Sequence, residues 1–430
     1  MKKNHEKSII NQLKYKLIFI ILSIIISRIG SFIPIPGINN DIITKLLNQQ
    51  HGTILDMFNM FSGGALNRAS IFALGIMPYV SSSIIMQLLV MINPSLSDLN
   101  KAGDEYSKYK INKYTKYSAL LLSIIQSFSI SIGLHHLYGQ SLVLNSNLEF
   151  YLISIISLVC GSMFLMWIGE QITEHGMGNG ISILIFTSII SSLPISLGKT
   201  IEQTRQGELN IFNLILILIL IFIITFFVVF IERSQRHITI HYAKSQQNNK
   251  IHLYKNHLPL KINMSGVMPA IFASSLVLLP TTLFRWFGNN KNLFWLFKFM
   301  IYLQPGALLY MLLYLSSIVF FCFFYITLIF NSKEIAKNLK MSGAFISGIR
   351  PGKYTSIYIN KIVTRLTIFG ALYIIFICLV PEFMRNIMHT PFFFGGTSLL
   401  IVILVIIDFI SYIQCMLISN KYYQMLNKKM

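Results

Sequence analysis

Charged side chains inside long apolar runs are the first place to look for chemistry in this chain. Arg28 and Asp408 lie clearly inside such runs, and Glu170 sits at the end of one. A charge at membrane depth costs at least about 2.5–3.5 kcal/mol, so it marks a pathway or a structural ion pair. A proton- or sodium-coupled carrier needs more such groups. Here the apolar runs carry mild Ser, Thr, Asn and Gln instead, which suits a conduit that holds no small ligand tightly. Catalytic constellations are missing: there is no GxGxxG, P-loop, HExxH, GxSxG or paired CxxC. Gly176-Met177-Gly178-Asn179-Gly180 reads as a turn entering a span, not as a nucleotide loop after a strand. The 10 histidines sit mostly in loops without metal-ligand pairing. Cys160, Cys322, Cys378 and Cys415 all fall in apolar runs and read as small packing residues. The expectation is a non-enzyme with no cofactor and no metal.

The elements that position these residues follow from hydropathy. The chain has 430 residues, of which 54% are hydrophobic and 12% charged, and its mean hydropathy is +0.63. That composition excludes a soluble domain and predicts a polytopic membrane protein. A bilayer core about 30 Å thick needs about 20 helical residues. Ten stretches qualify: 17–34, 71–92, 118–137, 150–169, 180–197, 211–231, 264–284, 306–330, 366–381 and 398–418. The first is too long for a cleaved signal peptide, and Pro34-Ile35-Pro36-Gly37 follows it where a small-residue cleavage site would stand.

The net charge of +20 invites a nucleic-acid reading. The distribution of charge argues for topology instead. With the N-terminus cytoplasmic, 26 of the 35 Lys and Arg fall on the cytoplasmic side and 8 opposite, with Arg28 inside a span. This positive-inside bias places both termini in the cytoplasm. The turn carrying Glu170 and Glu174 is an exception, short enough to be carried by its neighbours.

Two stretches read nearly alike: Gly75-Ile76-Met77-Pro78-Tyr79-Val80 with Ser83, and Gly266-Val267-Met268-Pro269-Ala270-Ile271 with Ser274. Each opens the second span of a five-span half. Five is odd, so the second half enters the membrane the other way up, which is the mark of an inverted repeat. The architecture expected is all-α, with ten transmembrane helices in two inverted five-helix halves, 1–197 and 198–430. Two large basic loops, 232–262 and 331–361, face the cytoplasm. The first holds Ile238-Thr239-Ile240-His241-Tyr242, whose alternation predicts a strand. The second displays Arg350 on a Gly/Pro turn. Their size favours docking of a large cytoplasmic partner over topology setting alone. On the opposite side, 53–70 carries Met57, Phe58, Met60 and Phe61 before Gly63-Gly64. It reads as a short apolar-faced helix with a hinge, either lying on the bilayer or re-entrant among the spans.

Arg28-Ile29-Gly30-Ser31-Phe32-Ile33-Pro34-Ile35-Pro36-Gly37 resembles the first-span signature of the SecY family, the channel subunits of the bacterial Sec protein translocase. Residues 60–87, 166–185, 257–275, 345–352 and 391–408 are similar to that family as well, in its gammaproteobacterial form. The abundance of Ile, Lys and Asn suggests an AT-rich genome, as in a reduced bacterium such as an insect endosymbiont. The resemblance implies a protein-conducting channel of the cell inner membrane, opened like a clamshell. It would pass unfolded secretory proteins across and release membrane segments sideways into lipid. By position, Ile76, Val80, Ile181, Ile185, Ile271 and Ile401 correspond to the hydrophobic pore ring. Residues 53–70, with Met57, Phe58, Met60, Phe61, Gly63 and Gly64, correspond to the re-entrant plug helix. Ser83, Gln87, Asn263 and Ser274 belong to the lateral gate between spans two and seven. Arg233, Arg236, Lys244 and Arg350 correspond to the docking surface for the SecA ATPase motor and the ribosome. SecE and SecG subunits, client signal sequences and membrane lipid are the further partners implied, with no nucleic-acid role beyond contact with ribosomal RNA. Val80 stands where Ile is usual, and Ser332 and Ser347 where Pro is frequent. An inverted-repeat secondary transporter and a membrane-embedded enzyme are the rival readings.

Overall fold

The computed structural model describes residues 2–38, 59–102, 104–138, 148–207, 210–242, 254–287, 307–388 and 396–427. Among these, twelve helices and three strands follow in the order α1 (Lys2–Gly30), α2 (Met77–Ile92), α3 (Pro94–Ala102), α4 (Glu105–Tyr138), α5 (Leu148–His175), α6 (Gly180–Gln206), α7 (Ile211–Arg233), β1 (Gln235–Tyr242), β2 (Tyr254–Lys261), α8 (Met268–Phe287), α9 (Leu308–Ile329), α10 (Ser332–Met341), β3 (Ala344–Phe345), α11 (Lys353–Met388) and α12 (Gly396–Asn427). All but α3 and α10 coincide with an expected span. Six helical stretches of the described residues are long and apolar enough to cross a bilayer, and α2 and the first turns of α8 are shorter apolar helices. Satisfying every backbone group internally is what lets such runs live in hydrocarbon.

The repeated stretches take the same backbone form. Gly75 and Gly266 both adopt left-handed φ, +57° and +64°, a conformation that other residues reach only with strain. Each is followed by a helix opening on Met-Pro, where proline's missing N–H costs nothing. Val80 N donates to Ile76 O at 3.1 Å, and Ile271 N donates to Val267 O at 3.2 Å. Span two is therefore shorter than hydropathy suggests. Residues 71–76 form turns, and the helix begins only at Met77.

Among the described residues, α8 packs against α2 and α4, and α12 against α6. Within the first half, hydroxyls bind neighbouring helices together. Ser82 Oγ donates to Thr115 O at 2.6 Å and lies 2.6 Å from Ser118 Oγ, joining α2 to α4. Lys116 Nζ on α4 meets Glu170 Oε2 on α5 at 2.7 Å. Glu170 and Glu174 thus lie within α5 rather than in the expected turn.

Outside the spans, β1 pairs antiparallel with β2 from Gln235↔Lys261 to Tyr242↔Tyr254. The strand expected at 238–242 is part of this longer β1. β3 adds to the other edge of β1 through His241↔Phe345 and Tyr242↔Ala344. The two basic loops are thereby one body. Ile238 and Leu260 of the hairpin pack with Ile326 of α9, Ile346, and Ile359, Ile362, Val363 and Leu366 of α11 in a small core of their own. The stretch 331–361 is mostly regular structure rather than open loop.

Candidate functional site: an apolar neck, a plug and a helix seam

The six ring candidates come from four places in the chain. Ile76 caps α2 and Val80 lies in its first turns; Ile181 and Ile185 open α6; Ile271 lies on α8 and Ile401 on α12. All six lie in the main apolar core. Ile76, Val80, Ile185, Ile271 and Ile401 are buried, and Ile181 is half-buried against them. The four helices bring together residues from both halves, so the cluster bridges the α2/α8 and α6/α12 contacts. The repeat makes Val80 and Ile271 equivalent positions on α2 and α8.

Below this cluster lies the segment expected as the plug. Met57 and Phe58 fall outside the described residues. Asn59–Phe61 is helical, and the chain then winds through turns up to α2. Met60, Phe61, Ala65 and Leu66 are buried, so this part sits inside the protein and not on the bilayer surface. Gly63 and Gly64 take φ of +67° and +84°. The segment is moored at its far end as well. Ile35 N donates to Ala69 O at 2.9 Å, and Ile71 N donates to Ile33 O at 3.0 Å. The Pro-rich stretch after α1 is thus a brace for the residues leading into α2.

Arg28 finds a partner in this segment. Its Nη1 and Nη2 both donate to Gly63 O at 3.3 Å. Ser191 Oγ on α6 donates to the same oxygen at 3.5 Å. A Cβ on residue 63 would stand 2.5 Å from Arg28 Nη1 and 2.9 Å from Ser191 Oγ. Gly63 is therefore required twice over, by its φ and by the closeness of its two neighbours. Of the two expectations for an in-span charge, a pathway or an ion pair, the second is not seen: Arg28 has no ion pair among the described residues, and a backbone carbonyl is its partner. A small cavity beside the contact is lined by Ser27, Arg28, Ser31, Ser62, Ile76 and Ser188 among others. Asp408, the other in-span charge, is exposed on α12.

At the seam, the side-chain hydrogen bonds of Gln87, Ser274 and Ser275 run within single helices, while Gln87 Oε1 is buried without a partner. Gln87 Nε2 donates to Ser83 Oγ at 3.5 Å on α2. Ser274 Oγ donates to Ile271 O at 2.8 Å and Ser275 Oγ to Phe272 O at 3.0 Å on α8. Asn263 is engaged elsewhere. Its Nδ2 donates to Glu232 Oε1 at 2.7 Å and to Gly266 O at 3.2 Å. It acts at the root of α8 and not on the face turned to α2. Glu232 was not singled out from sequence; its place next to Arg233 at a helix end hid it among the basic loop residues.

Arg233, Arg236 and Arg350 are exposed; Lys244 lies outside the described residues. Ile349 N donates to Ile346 O at 3.1 Å, and Thr355 Oγ1 donates to Arg350 O at 3.0 Å. The Arg350 backbone is pinned while its side chain stays free. Among the described residues no group of three or more His, Cys, Asp or Glu is placed to hold a metal ion.

Similarity to known proteins matches this arrangement. A family model described as SecY matches residues 70–410. A protein named Protein translocase subunit SecY from Buchnera aphidicola (from Acyrthosiphon pisum) is 58% identical over 424 residues, spanning 98% of this chain and 96% of that one. A solved structure described as that of a protein-conducting channel superposes with a TM-score of 0.67 at 17% identity, covering 95% of this chain and 93% of the other. Sec61 in a canine ribosome-channel complex from the endoplasmic reticulum gives 0.63 at 16%, covering 95% and 93%. With a relative this similar along nearly its whole length, and a family model spanning most of it, the chain belongs to the SecY family.

Proposed function

We propose that this chain is the protein-conducting channel of a Sec translocon, passing unfolded secretory proteins across the cytoplasmic membrane and releasing membrane segments sideways into lipid. The observation that carries this reading is the α2/α8 seam. Apolar contact joins the halves there, and the hydroxyls of Ser83, Ser274 and Ser275 bond within single helices. Ser82, by contrast, ties α2 firmly to α4. Parting α8 from α2 breaks none of these hydrogen bonds, and in lipid no hydrophobic penalty holds such helices together. The neck of Ile76, Val80, Ile181, Ile185, Ile271 and Ile401 then serves as the seal, since a narrow apolar constriction excludes water and ions by dewetting.

The halves 1–197 and 198–430 would move as the two leaves of the clamshell. The exposed Arg233, Arg236 and Arg350 form the docking face for a ribosome and for the SecA motor. A ribosome-bound relative of the same fold supports the first of these. SecE and SecG would complete the complex in the inner membrane, with both termini cytoplasmic. The chain itself catalyses no reaction in this reading, and the driving force comes from its partners.

Reconstitution in proteoliposomes tests the proposal. With a single-span partner and an ATP-driven motor supplied, an unfolded presecretory protein should reach the lumen in protease-protected form. Ion-coupled uptake of small solutes, without protein entry, would select a secondary transporter instead.

A further inference from the structure

The hairpin β1–β2 leaves the membrane from α7 and returns to it at α8, so its two ends stand where docking face and gate helix meet. A compact polar knot closes that base. Glu232 is the penultimate residue of α7, and Asn263 follows β2. Both are buried, at 6% and 3% exposure. Asn263 Nδ2 donates to Glu232 Oε1 at 2.7 Å and to Gly266 O at 3.2 Å, while its Oδ1 accepts from Ser265 Oγ at 3.0 Å. One step further out, Ile262 N donates to Ser234 O at 3.2 Å. Inward, Ser265 is buried against Cys322 of α9. Gly370 on α11 packs beside Asn263, close enough that a Cβ there would be in ordinary contact with its Oδ1 at 3.6 Å.

One side chain thus bonds three things at once: the end of α7, the turn at Gly266, and the serine that precedes it. Gly266 has left-handed φ and its carbonyl is held by Asn263, so the knot fixes the direction in which the backbone enters α8. A buried amide engaged through both its donors and its acceptor is stiff because any shift leaves a desolvated polar group unpaired, at a cost of about 1–3 kcal/mol or more. Displacement of the hairpin must therefore carry the knot, and the knot carries the first turn of α8.

We propose that the Glu232–Asn263 pair is the positioning element that transmits docking on the β1–β2 hairpin to the gate helix α8. The proposal rests on the channel reading above and adds the residues through which partner and gate are coupled. It requires that breaking the pair uncouples docking from gate movement while docking itself persists, since neither side chain is exposed on the docking face.

The test uses the full chain with cysteines at Ser83 and Ser274, in a background lacking the exposed Cys160 and Cys415. Disulfide formation across the α2/α8 seam is measured in membranes with and without bound ribosome or motor, beside binding affinity for that partner. In the parent, docking should lower crosslinking. Asn263→Asp sets two carboxyl groups against each other and should abolish that response with partner affinity unchanged. Coupling between sites of this kind is typically about 5–150-fold, so a loss of about fivefold or more is expected. Glu232→Gln keeps an acceptor oxygen for Asn263 and should retain the response. If Asn263→Asp fails to insert, the comparison of Asn263→Ser with Glu232→Gln carries the same contrast. A parent that never crosslinks, or crosslinks regardless of docking, overturns the gate reading itself. A parent that responds, with the Asp or Ser variant responding equally, overturns the relay alone.

Discussion

A single carbonyl oxygen, that of Gly63, is held by a guanidinium from α1 and a hydroxyl from α6. Hydrogen bonds to charged donors contribute about 1.5–3 kcal/mol, which is about ten- to a hundredfold in a closed-to-open ratio. Arg28→Ala should raise the resting open fraction of the channel by about that factor, read as single-channel current in planar bilayers without motor or substrate. Arg28→Lys keeps a donor but loses the two-pronged grip, and should fall between. Equal silence of parent and Ala variant would show that Gly63 is not held shut by this contact. The apolar neck gives an independent prediction. Replacing Ile76, Ile181 and Ile271 together with Ser removes a buried apolar contribution of about 1.5–3 kcal/mol per side chain and supplies water with partners. Resting ion conductance should rise, and proteins with weak signal sequences should pass. A triple variant as quiet as the parent removes the ring assignment and leaves the plug as the seal.

Among the elements, α2 and α8 are copies in sequence and in backbone form, yet their neighbours differ. α2 is tied to α4 by Ser82 and Ser118; α8 is tied at its root to α7 through Asn263. Side-chain hydrogen bonds thus tie α2 to α4 and the root of α8 to α7, and none runs between α2 and α8 among the described residues. Cysteines at Ser83 and Ser274 should crosslink, and oxidised channels should stop exporting until reduced. Normal export by the crosslinked form would mean that this seam is not the exit. The lipid-ward faces of α7, with Phe222, Phe226 and Phe230 exposed, are those of a helix that meets hydrocarbon along its length.

In the whole molecule, the hairpin of one loop and the short strand of the other form one sheet, backed by a core that joins α9 and α11. A basic surface mounted on such a body moves as a unit. Arg350 stands on it with its carbonyl bonded to Thr355 and its side chain free. Arg350→Glu should leave insertion intact and thermal stability within about 0.5 kcal/mol, as for other surface changes. Motor-driven export should fall by about tenfold or more, through loss of a charge-assisted contact and added repulsion. Unimpaired export of a presecretory protein by this variant removes Arg350 from the docking face.

The amino-acid sequence by itself determined the all-α membrane class, the places of the apolar helices and the alternating strand, because hydropathy and periodicity are local and one-dimensional. The repeat was legible as Gly-x-Met-Pro, while the left-handed φ of Gly75 and Gly266 came with the structure. The tertiary structure decided what lies across distance. β2 carries Pro259 within its short alternation of Leu258 and Leu260; it is a strand because β1 offers it an edge, and an edge strand tolerates proline. The late start of α2 follows from Gly75 and from the brace that Ile33 and Ile35 provide. Arg28 reads only as a charge marking a pathway or an ion pair until packing brings Gly63, 35 residues away, under its guanidinium. Asn263 reads as part of the gate face until Glu232, 31 residues back, claims its amide. In each case a buried polar group must find a partner, and which partner it finds is set by how helices pack, which no local pattern records.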